Sequence, residues 1–110
     1  MPPPSSVALG KATFARIAHA DAVFCNSDLL ALGVVSQARA YGIDVPNQMA
    51  VCGFGDLEFA ANTTPALTTV RVDGKRIGAS AARCLIDRLN GVQEHSHIDV
   101  GFEIVERETL

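Results

Sequence analysis

The sequence predicts an α/β fold built around a parallel sheet. Short apolar runs of strand length alternate with longer segments of helical spacing, so that a strand, a helix and a second strand follow one another within about thirty residues. Such a unit implies parallel strands joined by a right-handed crossover. The chain has 110 residues, of which 48% are hydrophobic and 19% charged, which suits one domain and excludes a disordered segment.

The first predicted helix and strand occupy the amino-terminal part of the chain. After a proline-rich lead over residues 1–4, which we expect to be extended and mobile, Ser5 or Ser6 caps a helix that runs to about His19. The expected buried side of this helix consists of Val7, Leu9, Phe14, Ile17 and Ala18. The continuous apolar run at 22–25 is typical of a strand buried on both faces.

A second helix and a second strand complete the unit. Ser27 is a good N-cap, Gly42 stands where the helix should end, and Pro46 lies beyond it as a stop. The apolar surface of this helix is expected from Leu29, Leu30, Leu32, Val34, Val35 and Ala38. Residues 49–54 then form an apolar run that breaks into a glycine-rich turn ending at Asp56.

The second half of the chain predicts a third strand, a third helix and a last strand. Residues 67–72 alternate with β-branched side chains, and Asp73 can cap a helix that is closed by Asn90 and Gly91. The apolar positions of that helix are Ile77, Ala81, Leu85, Ile86 and Leu89. Residues 98–104 alternate between apolar and polar, which indicates a half-exposed edge or antiparallel strand.

Charge and cysteine usage exclude several classes of protein. Lys and Arg number 9 against 12 Asp and Glu, so the chain lacks the basic surface of a nucleic-acid-binding domain. No apolar run is long enough to span a bilayer, and the sequence shows no targeting segment. The 3 cysteines form no CxxC pair, so we expect free buried thiols in a reducing cytoplasm.

Metal and nucleotide sites find little support in the sequence. His95 and His97 lie close together but lack a patterned third ligand, so we expect a solvated loop there and no metal. Gly53 and Gly55 follow a strand, but Glu58 stands where the dinucleotide fingerprint needs its third glycine. We therefore expect no cofactor.

Polar groups at the ends of the first two strands favour a small-molecule site. Asn26, Ser27, Asp28 and Asp56 follow these strands, with Phe24, Phe54 and Phe59 nearby, a combination that suits a polyhydroxylated ligand. In open parallel sheets, ligands bind outside the carboxyl ends of the strands, so these groups face one crevice if the strands are neighbours. The alternative is that Ser27 and Asp28 only cap a helix and Asp56 only makes a turn.

A resemblance to a known family favours the binding interpretation. The sequence resembles the effector-binding domain of LacI/GalR-type bacterial repressors in five segments, DAVFCNSDLLALG at 21–33, GIDVP at 42–46, VCGFGD at 51–56, TPALTTVR at 64–71 and VERET at 105–109. The resemblance implies a Rossmann-like lobe of a periplasmic-binding-protein-like domain, truncated here, that occupies residues 5–110 with a crossover at about 64–72. Its helix-turn-helix head is absent from this chain. Because partner strands are missing as well, we expect oligomerisation or strand exchange.

The resemblance also implies where the effector binds. The acidic residue that the family often places in the glycine turn is replaced by Gly55, with Asp56 one position later, and the Asn-Asp pair appears as Ser27-Asp28 with Asn26 shifted. The positions carried over as effector-binding are Asn26, Ser27, Asp28, Gly55, Asp56, Val72, Asp73 and Gly74. The segment GFGDLEF is similar to the gluconate-type branch, which favours a sugar acid over a neutral sugar or a purine.

A homodimer is the partner that the resemblance implies. The positions carried over as its interface are Leu32, Val35, Ser36, Phe59, Asn62 and Thr63, and for Leu32 and Val35 simple core packing is the alternative. The expected function is therefore the sensing and dimerisation part of a cytoplasmic repressor, without catalysis and without a membrane. Two alternatives stay open, a fragment of a periplasmic sugar-binding protein and a small α/β enzyme that uses Cys25 or Asp56.

Overall fold

The computed structural model describes residues 5–92 and 97–110, and it confirms an α/β fold with a mostly parallel sheet. Its elements are α1 (Ser6–Ile17), β1 (Ala22–Phe24), α2 (Asp28–Ala40), β2 (Ala50–Phe54), the 3-10 helix η1 (Glu58–Ala61), β3 (Thr68–Arg71), α3 (Gly74–Leu89) and β4 (Glu103–Val105). The strands lie in the order β1-β2-β3-β4, and β2 is parallel to both β1 and β3. The proline-rich lead at 1–4, expected to be mobile, lies outside the described residues.

Contacts divide the chain into two units. The first unit contains the chain up to Arg71 together with Ile104–Leu110, and the second is Val72–Glu103. The first unit therefore holds α1, α2 and the three parallel strands, and the second holds α3.

The core of the first unit lies between its two helices and the sheet. Its buried members are Phe14, Cys25, Ala31, Val34, Val35, Ala38, Met49, Val51, Ala60 and Leu67. The two helices meet at two glycines, since a Cβ on Gly10 would lie 2.3 Å from the carbonyl oxygen of Leu30 and one on Gly33 would lie 2.2 Å from that of Val7. Glycine costs about 1 kcal/mol inside a helix, but at these two positions it allows the backbones to touch.

Burial on α1 differs from the expected pattern. Gly10 and Phe14 are its buried residues, whereas Leu9, expected on the buried side, is 49% exposed. The difference has a physical reason, since the closest approach to α2 runs through the glycine, and the large side chain next to it in sequence points elsewhere.

Strand β1 is shorter and more exposed than expected. The strand ends at Phe24, and the Phe24 side chain is 63% exposed. The expectation of a strand buried on both faces is therefore wrong. The cause is that β1 is the outermost strand in the sheet order, with β2 as its neighbour, and nothing among the described residues covers the Phe24 side chain.

The expected helix boundaries are confirmed by their caps. The Ser5 hydroxyl accepts a hydrogen bond from the Ala8 amide, and the Ser27 hydroxyl accepts one from the Leu29 amide, each at 3.1 Å. Gly42, just beyond α2, has a φ of 73°, in the left-handed region that favours glycine at a helix end.

The second unit is dominated by the exposed helix α3. None of its residues is buried, and Leu85 and Leu89 are 67% and 87% exposed. The strand expected over 98–104 is reduced to the three residues Glu103–Val105, while 97–102 are neither helix nor strand. Alternating side chains are not enough for a strand, because its backbone groups need a paired neighbour.

Candidate functional site

The carboxyl ends of β1 and β2 lie side by side, so the condition under which their polar groups face one crevice is met. Phe24 is in register with Cys52, and the amide of Cys25 donates to the carbonyl oxygen of Cys52 at 2.8 Å. The residues that follow both strands therefore meet at one edge of the sheet. Asn26 is exposed there and Ser27 is half-buried.

Asp28, the first residue of α2, is completely buried beneath the residues that follow β2. Its Oδ1 accepts a hydrogen bond from Thr69 Oγ1 at 2.6 Å, and its Oδ2 accepts one from the Leu57 amide at 2.7 Å. A Cβ on Gly53 would lie 2.3 Å from the same Oδ1, so the carboxylate fits only because β2 has a glycine at that position. One side chain thus connects α2, β3 and the turn after β2.

Asp56 is held by two guanidinium groups. Its Oδ2 accepts from Arg71 Nε at 2.7 Å and its Oδ1 accepts from Arg107 Nη2 at 2.9 Å, and its own φ of 51° is in the left-handed region. Its amide donates to Thr69 Oγ1 at 3.3 Å. Partial burial by itself raises the pKa of Asp56, but the hydrogen bonds and positive charges of the two arginines outweigh it and lower that pKa below its ordinary value.

Neither arginine is identified as a site residue by the sequence pattern. Arg71 lies in the TPALTTVR segment and Arg107 in the VERET segment, which are separated by more than thirty residues. Salt bridges between distant segments produce no periodic pattern in the sequence. Only the resemblance of both segments to one family could have suggested that Arg71 and Arg107 lie near Asp56.

The carboxyl-terminal segment joins β2 and β3 near their amino-terminal ends, while its Arg107 reaches Asp56. Thr109 is fully buried, its hydroxyl donates to the carbonyl oxygen of Val51 at 2.6 Å, and the same hydroxyl accepts from the Thr68 amide at 2.9 Å. The carbonyl oxygen of Thr109 accepts from the Val51 amide at 2.8 Å. Arg107 adds a bond from its amide to Thr68 Oγ1 at 2.9 Å. The segment therefore bridges β2 and β3.

Two of the three expected aromatic residues are exposed in the first unit. Phe24 is 63% and Phe54 39% exposed, whereas Phe59 is partly buried against the core. Exposed rings at a polar edge can stack on the C–H face of a sugar.

Three of the expected effector-binding residues begin the second unit. Val72 is half-buried, while Asp73 and Gly74 are exposed. Asp73 caps α3 by accepting a hydrogen bond from the Arg76 amide at 3.1 Å. Their contact with an effector stays a prediction.

The cysteine positions do not support nucleophilic chemistry. Burial raises the pKa of the Cys25 thiol above its ordinary value, and Cys52 raises it further, so the unreactive thiol form prevails at neutral pH. Burial, followed by the charge of Asp28, also raises the pKa of Cys52.

Residues 5–92 and 97–110 contain neither a metal-binding cluster nor a membrane-spanning helix. No group of three or more His, Cys, Asp and Glu side chains there could hold a metal ion. His95 lies outside this part of the chain, and His97 is exposed. No helix among the same residues is both long and apolar enough to cross a membrane.

A groove on the first unit brings together part of the expected dimer interface. Leu32, Val35, Ser36 and Thr63 line it together with Arg39 and Thr64, around a volume of about 320 Å³. The guanidinium of Arg39 donates to the carbonyl oxygen of Thr64. Asn62 is exposed, its side chain donating to the carbonyl oxygen of Glu58, while Phe59 is turned toward the core. Arg39 and Thr64 are the members that the sequence did not predict.

Known proteins resemble this chain along its whole length. Residues 2–110 match the family model described as periplasmic binding protein-like domain. The HTH-type transcriptional regulator GntR of Pseudomonas aeruginosa is 39% identical over 113 residues, which cover 98% of this chain and 33% of the relative. The chain therefore spans about a third of the length of that relative.

Solved structures show the same architecture. The transcription regulator GntR from Chromobacterium violaceum superimposes with a TM-score of 0.82 at 38% identity, covering 98% of this chain and 42% of that chain. A LacI family transcriptional regulator from Lactobacillus casei with bound sucrose superimposes with a TM-score of 0.73 at 30% identity, covering 96% of this chain and 39% of that chain.

Proposed function

Because this chain belongs to the periplasmic binding protein-like domain family, we propose that it is the effector-binding part of a LacI-type transcriptional repressor. Its relatives are named as transcriptional regulators, and one similar structure of a LacI family regulator holds sucrose. The observation that carries the proposal is the polar edge at the carboxyl ends of β1 and β2, where such sheets bind ligands.

The chemistry of this edge suits a polyhydroxylated ligand. Asn26 offers an amide with two donors and an acceptor, and Ser27 offers a hydroxyl. Gly55 is exposed with a φ of 122°, so no side chain screens the backbone at this point. Phe24 and Phe54 supply apolar surface for the sugar ring. For Val72, Asp73 and Gly74, which belong to the second unit, the proposed contact with an effector rests on the family resemblance alone.

The charges of the edge permit a sugar acid, and the likeness of GFGDLEF to the gluconate-type branch favours one. The family's acidic residue is replaced by Gly55, and the carboxylate of Asp56 is neutralised by Arg71 and Arg107 at 2.7 and 2.9 Å. A carboxylate ligand therefore meets no uncompensated negative charge from Asp56, and repulsion at close range is reduced. We propose gluconate as the representative ligand.

Regulation in this proposal is a change of population, without catalysis. A sugar acid that favours one arrangement of the parent repressor changes its affinity for DNA by that preference alone. DNA binding belongs to a helix-turn-helix head outside this sequence, and the repressor acts in the cytoplasm as a homodimer. The groove formed by Leu32, Val35, Ser36 and Thr63, with Phe59 and Asn62 beside it, is the proposed dimer contact.

Titration followed by NMR tests the effector site. The ¹⁵N-labelled chain is titrated with sodium gluconate and, separately, with sucrose, at constant ionic strength. Gluconate should shift the amide signals of Asn26, Ser27, Gly55 and Asp56, and sucrose should shift them less. Stronger shifts with sucrose would exclude the sugar acid, and unchanged signals with both would exclude the site. Recovery of chemically intact gluconate after incubation distinguishes binding from turnover.

A further inference from the structure

We infer that Asp28 is a positioning residue, which holds the backbone turn at Gly55–Leu57 in the shape that an effector meets, rather than an effector contact itself. That an effector meets this turn rests on the proposed function, whereas the role of Asp28 in holding the turn rests on the hydrogen bonds and burial described here. Asp28 has an exposed fraction of 0%. The carboxylate therefore has no surface that a ligand could reach, and each of its oxygens accepts a hydrogen bond from within the chain.

Asp28 controls the turn through two consecutive backbone amides. The Leu57 amide donates directly to Asp28 Oδ2 at 2.7 Å. The Asp56 amide donates to Thr69 Oγ1 at 3.3 Å, and that hydroxyl donates its own proton to Asp28 Oδ1 at 2.6 Å. A hydroxyl can accept and donate a hydrogen bond at the same time. Because Asp28 fixes the orientation of the Thr69 hydroxyl, it also fixes the acceptor of the Asp56 amide.

The backbone at the turn needs such support. Gly55 and Asp56 both have positive φ, 122° and 51°, a region that a residue with a side chain rarely occupies without compensating contacts. The carboxylate fits under the turn because Gly53 has no Cβ, which would otherwise lie 2.3 Å from Oδ1. The turn at Gly55–Leu57 is therefore held from below by the buried Asp28 carboxylate and the Thr69 hydroxyl, in space that Gly53 leaves open.

Two variants separate positioning from direct contact. Asp28→Asn keeps the volume but loses one of the two acceptors, whereas Thr69→Val removes only the hydroxyl and leaves the carboxylate of Asp28 in place. Asp44→Asn is the matched control, because the same chemical change is made at an exposed aspartate of the first unit whose Oδ2 accepts from Asn47.

Amide hydrogen exchange of the ligand-free chain tests the turn. Asp28→Asn should accelerate exchange at Leu57 or at Asp56 by about tenfold or more, because the remaining oxygen can serve only one of the two hydrogen bonds. Thr69→Val should accelerate exchange at Asp56, and Asp44→Asn should change neither. Unchanged exchange at both amides would overturn the inference. If Asp28→Asn unfolds the first unit, the Val51 amide accelerates as well, and the Thr69→Val variant decides.

Gluconate affinity then shows whether the turn serves binding. Positioning requires Thr69→Val to weaken gluconate binding by about tenfold, the free-energy equivalent of one lost hydrogen bond, although the Asp28 carboxylate is untouched. Direct contact by Asp28 predicts weaker binding in Asp28→Asn but unchanged affinity in Thr69→Val, and that result would overturn the inference. If the wild-type chain binds neither gluconate nor sucrose, the proposed function fails, while the exchange rates still decide whether Asp28 holds the turn.

Discussion

Single side chains at the sheet edge combine structural and electrostatic roles. Asp56 sits between Arg71 and Arg107, with its side chain only 14% exposed, so its ionised form is favoured in the folded state. Asp28, completely buried, has both oxygens occupied by the chain. Both aspartates follow a strand, but their interactions differ. Asp56 forms ion pairs with two arginines, whereas Asp28 accepts hydrogen bonds from a hydroxyl and a backbone amide.

The acid dependence of stability should reveal the Asp56 ion pairs. A carboxyl whose folded pKa is lowered stabilises the fold above its unfolded pKa, about 3.9, and this contribution is lost as pH falls through the folded pKa. Asp56→Asn, which tolerates the positive φ, should reduce the free energy of unfolding by about 1 kcal/mol at pH 6. The deficit should shrink below about pH 4.

Urea unfolding at a series of pH values measures this difference. The exposed Asp21→Asn variant removes an equal charge elsewhere and should show no comparable deficit at pH 6. A deficit for Asp56→Asn that persisted unchanged down to pH 2 would contradict an ionic origin.

Elements pack in this chain through their smallest residues. Helices α1 and α2 touch at Gly10 and Gly33, and β2 leaves room for a buried carboxylate at Gly53. Glycine inside a helix or strand lowers intrinsic propensity, so these positions weaken each element in isolation and strengthen the contact between elements.

Adding one methyl group to α1 should therefore destabilise the first unit. The new Cβ of Gly10→Ala would lie 2.3 Å from the carbonyl oxygen of Leu30, so the helices must separate, and we expect a loss of about 1–3 kcal/mol. Gly78→Ala in α3 is the control, because its Cβ would meet nothing within 4 Å and should gain about 0.5–1 kcal/mol of helix stability. Thermal unfolding monitored by circular dichroism compares the two. A higher melting temperature for Gly10→Ala would contradict this prediction, because it would mean that α1 and α2 accommodate the methyl group without loss of packing.

Much of the element pattern could be predicted from the sequence, and the reasons are local. Ser27 and Asp73 are the caps that the sequence predicts, and Ser5 is the cap of the two candidates Ser5 and Ser6, because N-capping depends on residues within one turn. The exposed face of β1 and the short β4 could not be predicted, because burial and strand pairing depend on neighbours that a pattern does not specify.

The sequence predicted which polar residues meet at the sheet edge but not the side chains that hold them, and their contact with an effector stays a prediction. Strand ends indicated Asn26, Ser27, Asp28 and Asp56, because parallel strands bring their carboxyl ends to one edge. The partners of these residues, Thr69, Arg71 and Arg107, come from segments distant in sequence. Their roles follow from tertiary geometry, which spacing along the chain does not encode.

The whole molecule consists of two units with different surfaces. The first has a well-buried core, whereas in the second the helix α3 has no buried residue and displays Leu85 and Leu89 at 67% and 87% exposure. Large exposed aliphatic side chains on one helix favour association in water.

Self-association of the chain should depend on these leucines. Replacing Leu85 and Leu89 together with Lys should lower the average mass measured by sedimentation equilibrium toward 11.6 kDa. Ala79→Lys places a charge on α3 away from the two leucines and should leave the mass unchanged. The same average mass for all three proteins would exclude α3 as the contact and direct attention to the exposed edge at β1.

Thr109 has a consequence for how the protein is made. Its hydroxyl and carbonyl groups bond Val51, which is synthesised 58 residues earlier. At about 5–20 residues per second, a ribosome needs roughly 3–12 s to add that length of chain. During this interval the nascent β2, and β3 once it has been synthesised, lack the groups that join their amino-terminal ends. The central sheet can therefore reach its final hydrogen bonding only after translation has passed Thr109 and the segment has left the exit tunnel, so a chaperone that shields nascent strands has a defined interval in which to act.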